Sequence, residues 1–138
     1  MNYCTLDDLV ELYSEKTLIQ LTDRVNRPAQ NLDAALIERA IEDAESEIDL
    51  HLEGRYQLPL PSVPRVLKRI AGSLAYANLH TNLGDTHPAL RAAEHSRRML
   101  SGIAKGTLSI GLDVTGNPVQ IANTVQISAG RNDFGGNW

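Results

Sequence analysis

Residues 33–64 constrain this chain more than any other stretch. Leu36, Ile37, Ala40, Ile41, Ala44, Ile48 and Leu52 recur at intervals of three and four, the spacing that returns side chains to one side of an α-helix. Asp33 precedes them as an expected N-cap and Gly54 follows as an expected stop signal. The chain then reads Gly54-Arg55-Tyr56-Gln57-Leu58-Pro59-Leu60-Pro61-Ser62-Val63-Pro64. Prolines at 59, 61 and 64 fix φ and remove N–H donors, so no helix or central strand can run through them. Ser62 precedes the next helix, with Pro64 near its first turn, where a missing N–H costs nothing. The segment is a rigid joint that fixes two helices relative to each other.

Helical signals continue on both sides of the joint. Thr5-Leu6-Asp7-Asp8 combines a capping hydroxyl with first-turn acids, and Leu6, Leu9, Val10 and Tyr13 follow at helical spacing. Ser14 can cap a second short turn carrying Leu18, Ile19 and Leu21, and Asn26-Arg27-Pro28 marks a polar loop at 23–31. After the joint, Val66, Leu67, Ile70, Ala71, Leu74, Ala77 and Leu79 form a buried face, and the small residues Ala71, Gly72, Ser73 and Ala75 admit a close neighbour. Gly84 and Asp85 lie in the connection at 81–87, and Thr86 or His87 caps a last long helix with Pro88 inside its start. Ala89, Leu90, Ala93, Met99, Leu100 and Ile103 pack on that helix, and Gly106 ends it.

Beyond Gly106 the pattern changes. Residues Thr107–Leu112, Val119-Gln120-Ile121 and Val125-Gln126-Ile127 alternate polar and apolar like short strands, with a turn at Thr115-Gly116-Asn117-Pro118. The glycine- and asparagine-rich residues 130–138 are not expected to fold alone. The expected fold class is all-α, a small bundle of about four main helices over 1–106, with a β-like arm and flexible tail over 107–138.

Composition narrows the class. Aromatic residues make up 4% of the 138 positions, so a single modest core must be built from Leu, Ile, Val and Ala. The lone Cys4 permits neither an internal disulfide nor a multi-cysteine zinc site, which suits a reducing cytoplasm. No apolar run is long enough for a membrane span and no basic, apolar export signal opens the chain, so a soluble protein is expected. The net charge of −4 conceals an imbalance: residues 1–53 hold 13 acids and 4 bases, residues 54–138 hold 4 acids and 9 bases. Either the acidic helix lies against the basic ones within one subunit, or like subunits meet acidic face to basic face. An acidic chain argues against nucleic-acid binding as the main activity.

No constellation for catalysis emerges. His51, His80, His87 and His95 form no zinc-hydrolase pair. His51 with Glu47 or Asp49 is a conceivable metal site, but an acidic helix surface accounts for it as well. The i, i+4 pairs Glu38/Glu42, Glu45/Asp49 and Asp49/Glu53 repel by a few tenths of a kcal/mol each on an exposed helix, which suggests something positive opposite them. Cys4 reads as a small buried hydrophobe, and no glycine-rich phosphate loop is present. Catalytic, cofactor and metal residues are therefore all expected to be none. Phe134 and Trp138 lie in a segment that cannot bury them by itself; they are either incidental or anchors for a neighbouring subunit.

The order Ile48-Asp49-x-x-Leu52-x-Gly54-Arg55-Tyr56-x-Leu58-Pro59, then Val63-Pro64-x-Val66-Leu67, resembles the Mu-like phage head–tail connector family. Tyr3-x-Thr5-Leu6-x-Asp8-Leu9, Leu18–Arg24 and Ala35–Ala44 extend the resemblance across roughly residues 3–112. It implies a virion protein of a tailed phage or prophage, assembled in the host cytoplasm into a ring below the portal. The implied partners are the portal protein, neighbouring copies and a tail-side stopper protein, with DNA only passing through the channel and no membrane involved. Expected contact residues are Arg55, Tyr56, Arg97, Arg98, Phe134 and Trp138. The competing reading is a small helical DNA- or protein-binding regulator using Arg65, Lys68, Arg69, Arg91, Arg97 and Arg98 as phosphate contacts. A hydrolase built on His51 and the carboxylates is the third.

Overall fold

A computed structural model of the chain describes residues 2–81 and 83–119. These contain five helices: α1 (Leu6–Tyr13), α2 (Glu15–Thr22), α3 (Ala34–Leu52), α4 (Arg65–Asn78) and α5 (Pro88–Lys105). The fold is all-α. Helices α3, α4 and α5 pack on one another, α1 lies across α3 and α4, and α2 packs on α1. The core is aliphatic: Leu9, Leu18, Ile37, Ile48, Leu52, Leu67, Leu74 and Leu100 are fully enclosed. Gly72 on α4 lets α1 approach, since a Cβ there would lie 2.7 Å from Cδ1 of Leu12.

Several helix ends follow their local chemistry. Thr5 and Asp8 form a reciprocal capping box on α1, Asp33 caps α3 by accepting from Leu36 N–H, and His87 Nδ1 caps α5 with Pro88 in its first turn. Gly106 closes α5 in the left-handed region at φ 82°. Ser14 ends α1 and starts α2 at φ 75°, and its hydroxyl accepts from Thr17 N–H. This single residue makes the corner between the two short helices, the cap offsetting its unfavourable backbone.

One expectation needs correcting, and two gain detail. α3 ends just before Gly54, as expected: Glu53 is the C-cap, Gly54 follows without a left-handed φ, and Arg55 and Tyr56 N–H both donate to Leu52 O. Pro64 adjoins the first turn of α4 as its N-cap, and no side chain supplies that cap. Thr107–Leu112 is not a strand. Among the described residues after Gly106 the only ladder contact is an isolated antiparallel bridge between Leu112 and Pro118, because Asp113 organises a tight turn instead. Its carboxylate accepts from Thr115 N–H, Asn117 N–H and the Thr115 hydroxyl. The alternation at 120–127 lies outside the described residues.

The loop at 23–31 is built around one carboxylate. Asp23 accepts from the backbone N–H groups of Val25, Asn26, Gln30 and Asn31, at 2.9–3.2 Å. Thr22 ties the loop's ends, donating to Leu18 O and accepting from Asp33 N–H. The Asn26, Gln30 and Asn31 bonds hold the Asp23 carboxyl well below the usual range. Its folded form is therefore the more acidic one, so its contribution is complete at neutral pH and is lost as pH falls below about 4. Stability measured by urea denaturation should begin to decline near that pH, and Asp23→Ala should flatten this part of the profile while lowering stability at pH 7.

Candidate functional site

The joint is packed from both sides. Tyr56 is buried in the core, and Arg55 lies exposed with its guanidinium carbon 5.9 Å from the Tyr56 ring centre. The same guanidinium reaches the end of α5, where a Cβ on Gly106 would stand 2.7 Å from it. That position puts a cation beside the negative end of the α5 dipole. Gln57 N–H donates to Val114 O, Pro61 lies against Gly116, and Ile110 is buried in the main core. The joint and residues 107–119 thus form one packed corner at the C-terminal ends of α3 and α5.

The acidic face of α3 divides into three parts. Glu45, expected on the solvated side, is only 8% exposed. It accepts from Tyr3 N–H at 2.5 Å and Cys4 N–H at 3.4 Å, fastening the N-terminal segment to α3. Beside it, the Tyr3 hydroxyl donates to Asp49 at 2.6 Å; burial and this carboxylate hold the phenol neutral. Burial also pushes the Cys4 thiol up to about 11, so it is a packed residue and not a poised nucleophile. Glu47 binds Arg97 of α5 through two bonds of 2.6 and 3.2 Å. Glu38, Glu42, Asp43 and Glu53 remain exposed.

The expected contact residues therefore separate. Tyr56 lies inside, Arg97 is engaged by Glu47 in the same chain, and Arg55 and Arg98 are exposed. Phe134 and Trp138 lie outside the described residues. Of the proposed phosphate contacts, Arg65, Arg69 and Arg91 are exposed, and Lys68 stands 3.5 Å from Asp8. His51 Nδ1 bonds Glu47 O within its own helix. His80 and His87 meet edge to face, ring centres 4.9 Å apart, and continue a row of rings from the stacked Tyr13–Tyr76 pair. No group of three or more His, Cys, Asp or Glu among the described residues could hold a metal ion.

A groove of about 520 Å³ runs between α4 and α5, with Leu12 and Tyr13 of α1 also lining it. Leu12, Val66, Ile70 and Met99 supply its apolar lining, with Arg69 and His95 at its edges. Ser73 Oγ is buried beside it without a hydrogen-bond partner among the described residues. Sequence reasoning missed this groove, which depends on how two helices diverge.

These features define a small helical protein whose free charge is spread over outer faces and not gathered in a cleft. Among the described residues no helix is long and apolar enough to cross a membrane. The family model described as bacteriophage Mu gp36 matches residues 3–129, and the chain belongs to that family. Mu-like prophage FluMu protein gp36 of Haemophilus influenzae is 34% identical over 135 residues, which cover 98% of this chain and 94% of that protein. Gene product J of Escherichia phage Mu is 39% identical over 69 residues, covering 50% of this chain and 48% of that protein. The chain is a phage or prophage protein.

Proposed function

We propose that this protein is a structural component of the virion, a head-completion adaptor that forms a ring below the portal and continues the channel for DNA. The observation that carries this reading is the joint. A Mu-family phage chain spends its most constrained residues on locking α3, α4 and the 107–119 turn into one rigid body, as a ring subunit requires. No described cluster of side chains supports a catalytic alternative. The regulator reading is weaker, since Arg97 and Lys68 are engaged by Glu47 and Asp8 and the chain is acidic overall. The partners on this reading are the portal, neighbouring copies and a tail-side protein.

The test is addition of the purified chain to purified, DNA-filled heads bearing the portal. It should sediment with those heads and not with heads lacking the portal, and phage deleted for its gene should accumulate unjoined heads and tails. A chain that never sediments with heads, and whose deletion leaves complete virions, is not a connector. Retention on duplex DNA that falls steeply with salt would transfer support to the regulator reading.

A further inference from the structure

We infer that copies of this chain join head to tail, the outer face of α3 on one copy seating in the α4–α5 groove of the next. The inference rests on the connector reading and names the surfaces from which its ring would be built. On α3, Glu42, Ser46 and Glu53 point directly away from the buried stripe, taking about 100° per residue. Glu38 flanks them on one side, and Asp43 and Leu50 on the other. Leu50 is 69% exposed, an apolar side chain set among acids on a helix whose other large apolar residues face inward. Arg39 is the one base on this face.

The groove carries the complementary pattern. Its floor is apolar and its α4 edge holds Arg69. On α5, Arg91, Arg98 and Lys105 recur every seven residues and are exposed, so they form one basic stripe along the outer edge, interrupted by Glu94. An acidic helix face with an exposed leucine near its C-terminal end fits a groove with an apolar floor, Arg69 in its lining and a basic stripe beside it: the leucine supplies the buried anchor, the charges supply register.

The two surfaces also lie on opposite sides of the protomer. Arg97, which turns to α3 to bind Glu47, is about 160° around α5 from the groove-lining His95. Two different, complementary patches on opposite sides give a heterologous contact, the kind that propagates into a ring. A twofold dimer would instead require one self-complementary patch.

Cysteine pairing tests this in the full chain. Ser46→Cys and Ala92→Cys each alter an exposed position and leave Leu50 in place, and Cys4 is buried, its thiol pushed up to about 11. The two variants are mixed at about 1 mM, where even a millimolar contact is half occupied, and oxidised at low salt. The mixed disulfide should form at least about tenfold faster than either homodimer. It should slow comparably on Arg69→Glu or in 1 M salt, where the screening length falls to about 3 Å. A chain carrying both cysteines should give a ladder of oligomers. Equal rates for the three pairings, or dominance of the Ser46→Cys homodimer, would overturn the contact. Heads that retain the protein while the mixed pair fails would leave the connector reading standing; a mixed pair that forms while heads do not retain the protein would remove that reading alone.

Discussion

Tyr56→Ala should lower unfolding stability by about 3–5 kcal/mol, the range for deleting a buried aromatic ring, measured as the shift in a urea midpoint. Tyr56 is 6% exposed and belongs to the central core. Its N–H ends α3 on Leu52 O, so its ring is held where the helix, the proline corner and the 107–119 turn meet. For a domain with a total stability of roughly 5–15 kcal/mol, such a loss leaves little margin. Tyr56→Phe keeps the ring and should cost much less. Arg55→Ala removes only an exposed side chain over the end of α5 and should stay within about 1 kcal/mol. A normal urea midpoint for Tyr56→Ala combined with lost head binding would show that Tyr56 is a contact residue and not a core one.

Glu45→Ala should cost about 2–4 kcal/mol, because it strands the buried N–H groups of Tyr3 and Cys4, at about 1–3 kcal/mol for each unsatisfied group. The longer of the two bonds, 3.4 Å to Cys4, keeps the estimate below the full sum. The N-terminal segment should loosen first. Its signature is faster reaction of Cys4 with a thiol reagent and faster hydrogen exchange at the Tyr3 amide, ahead of global unfolding. Glu45→Gln keeps an acceptor oxygen and should fall between wild type and alanine. Unchanged Cys4 reactivity in Glu45→Ala would show that α1 and not the carboxylate holds the segment down.

These predictions mark where the sequence is legible and where it is not. The α3 stripe, the Asp33 and Thr5 caps and the Gly106 terminus were readable because each is set by residues within a turn or two. Glu45 was misassigned with its acidic neighbours. The available signal was its spacing: four residues after Ile41 and seven before Leu52, it lies at the margin of the apolar stripe. That spacing cannot say that the backbone of residues 3 and 4 arrives there to be bound. The strand-like alternation at 107–112 misled for the opposite reason. The alternation sets Leu108, Ile110 and Leu112 on one side, but only Ile110 is buried and Leu108 is exposed; a strand also needs a partner, and the Asp113 turn closes the chain on itself.

The family resemblance rested on the joint, and the joint is also where sequence and tertiary structure divide the work. Local chemistry by itself determined the helices, their main caps and the break between α3 and α4, since hydrogen bonding and proline stereochemistry act over a few residues. Only the tertiary structure decided which charges remain available. Glu45, Glu47 and Arg97 are used within the chain, while Glu42, Asp43, Arg91 and Arg98 are left on its surface. That outcome depends on which helices approach within hydrogen-bond distance, and no spacing along one helix encodes the position of another.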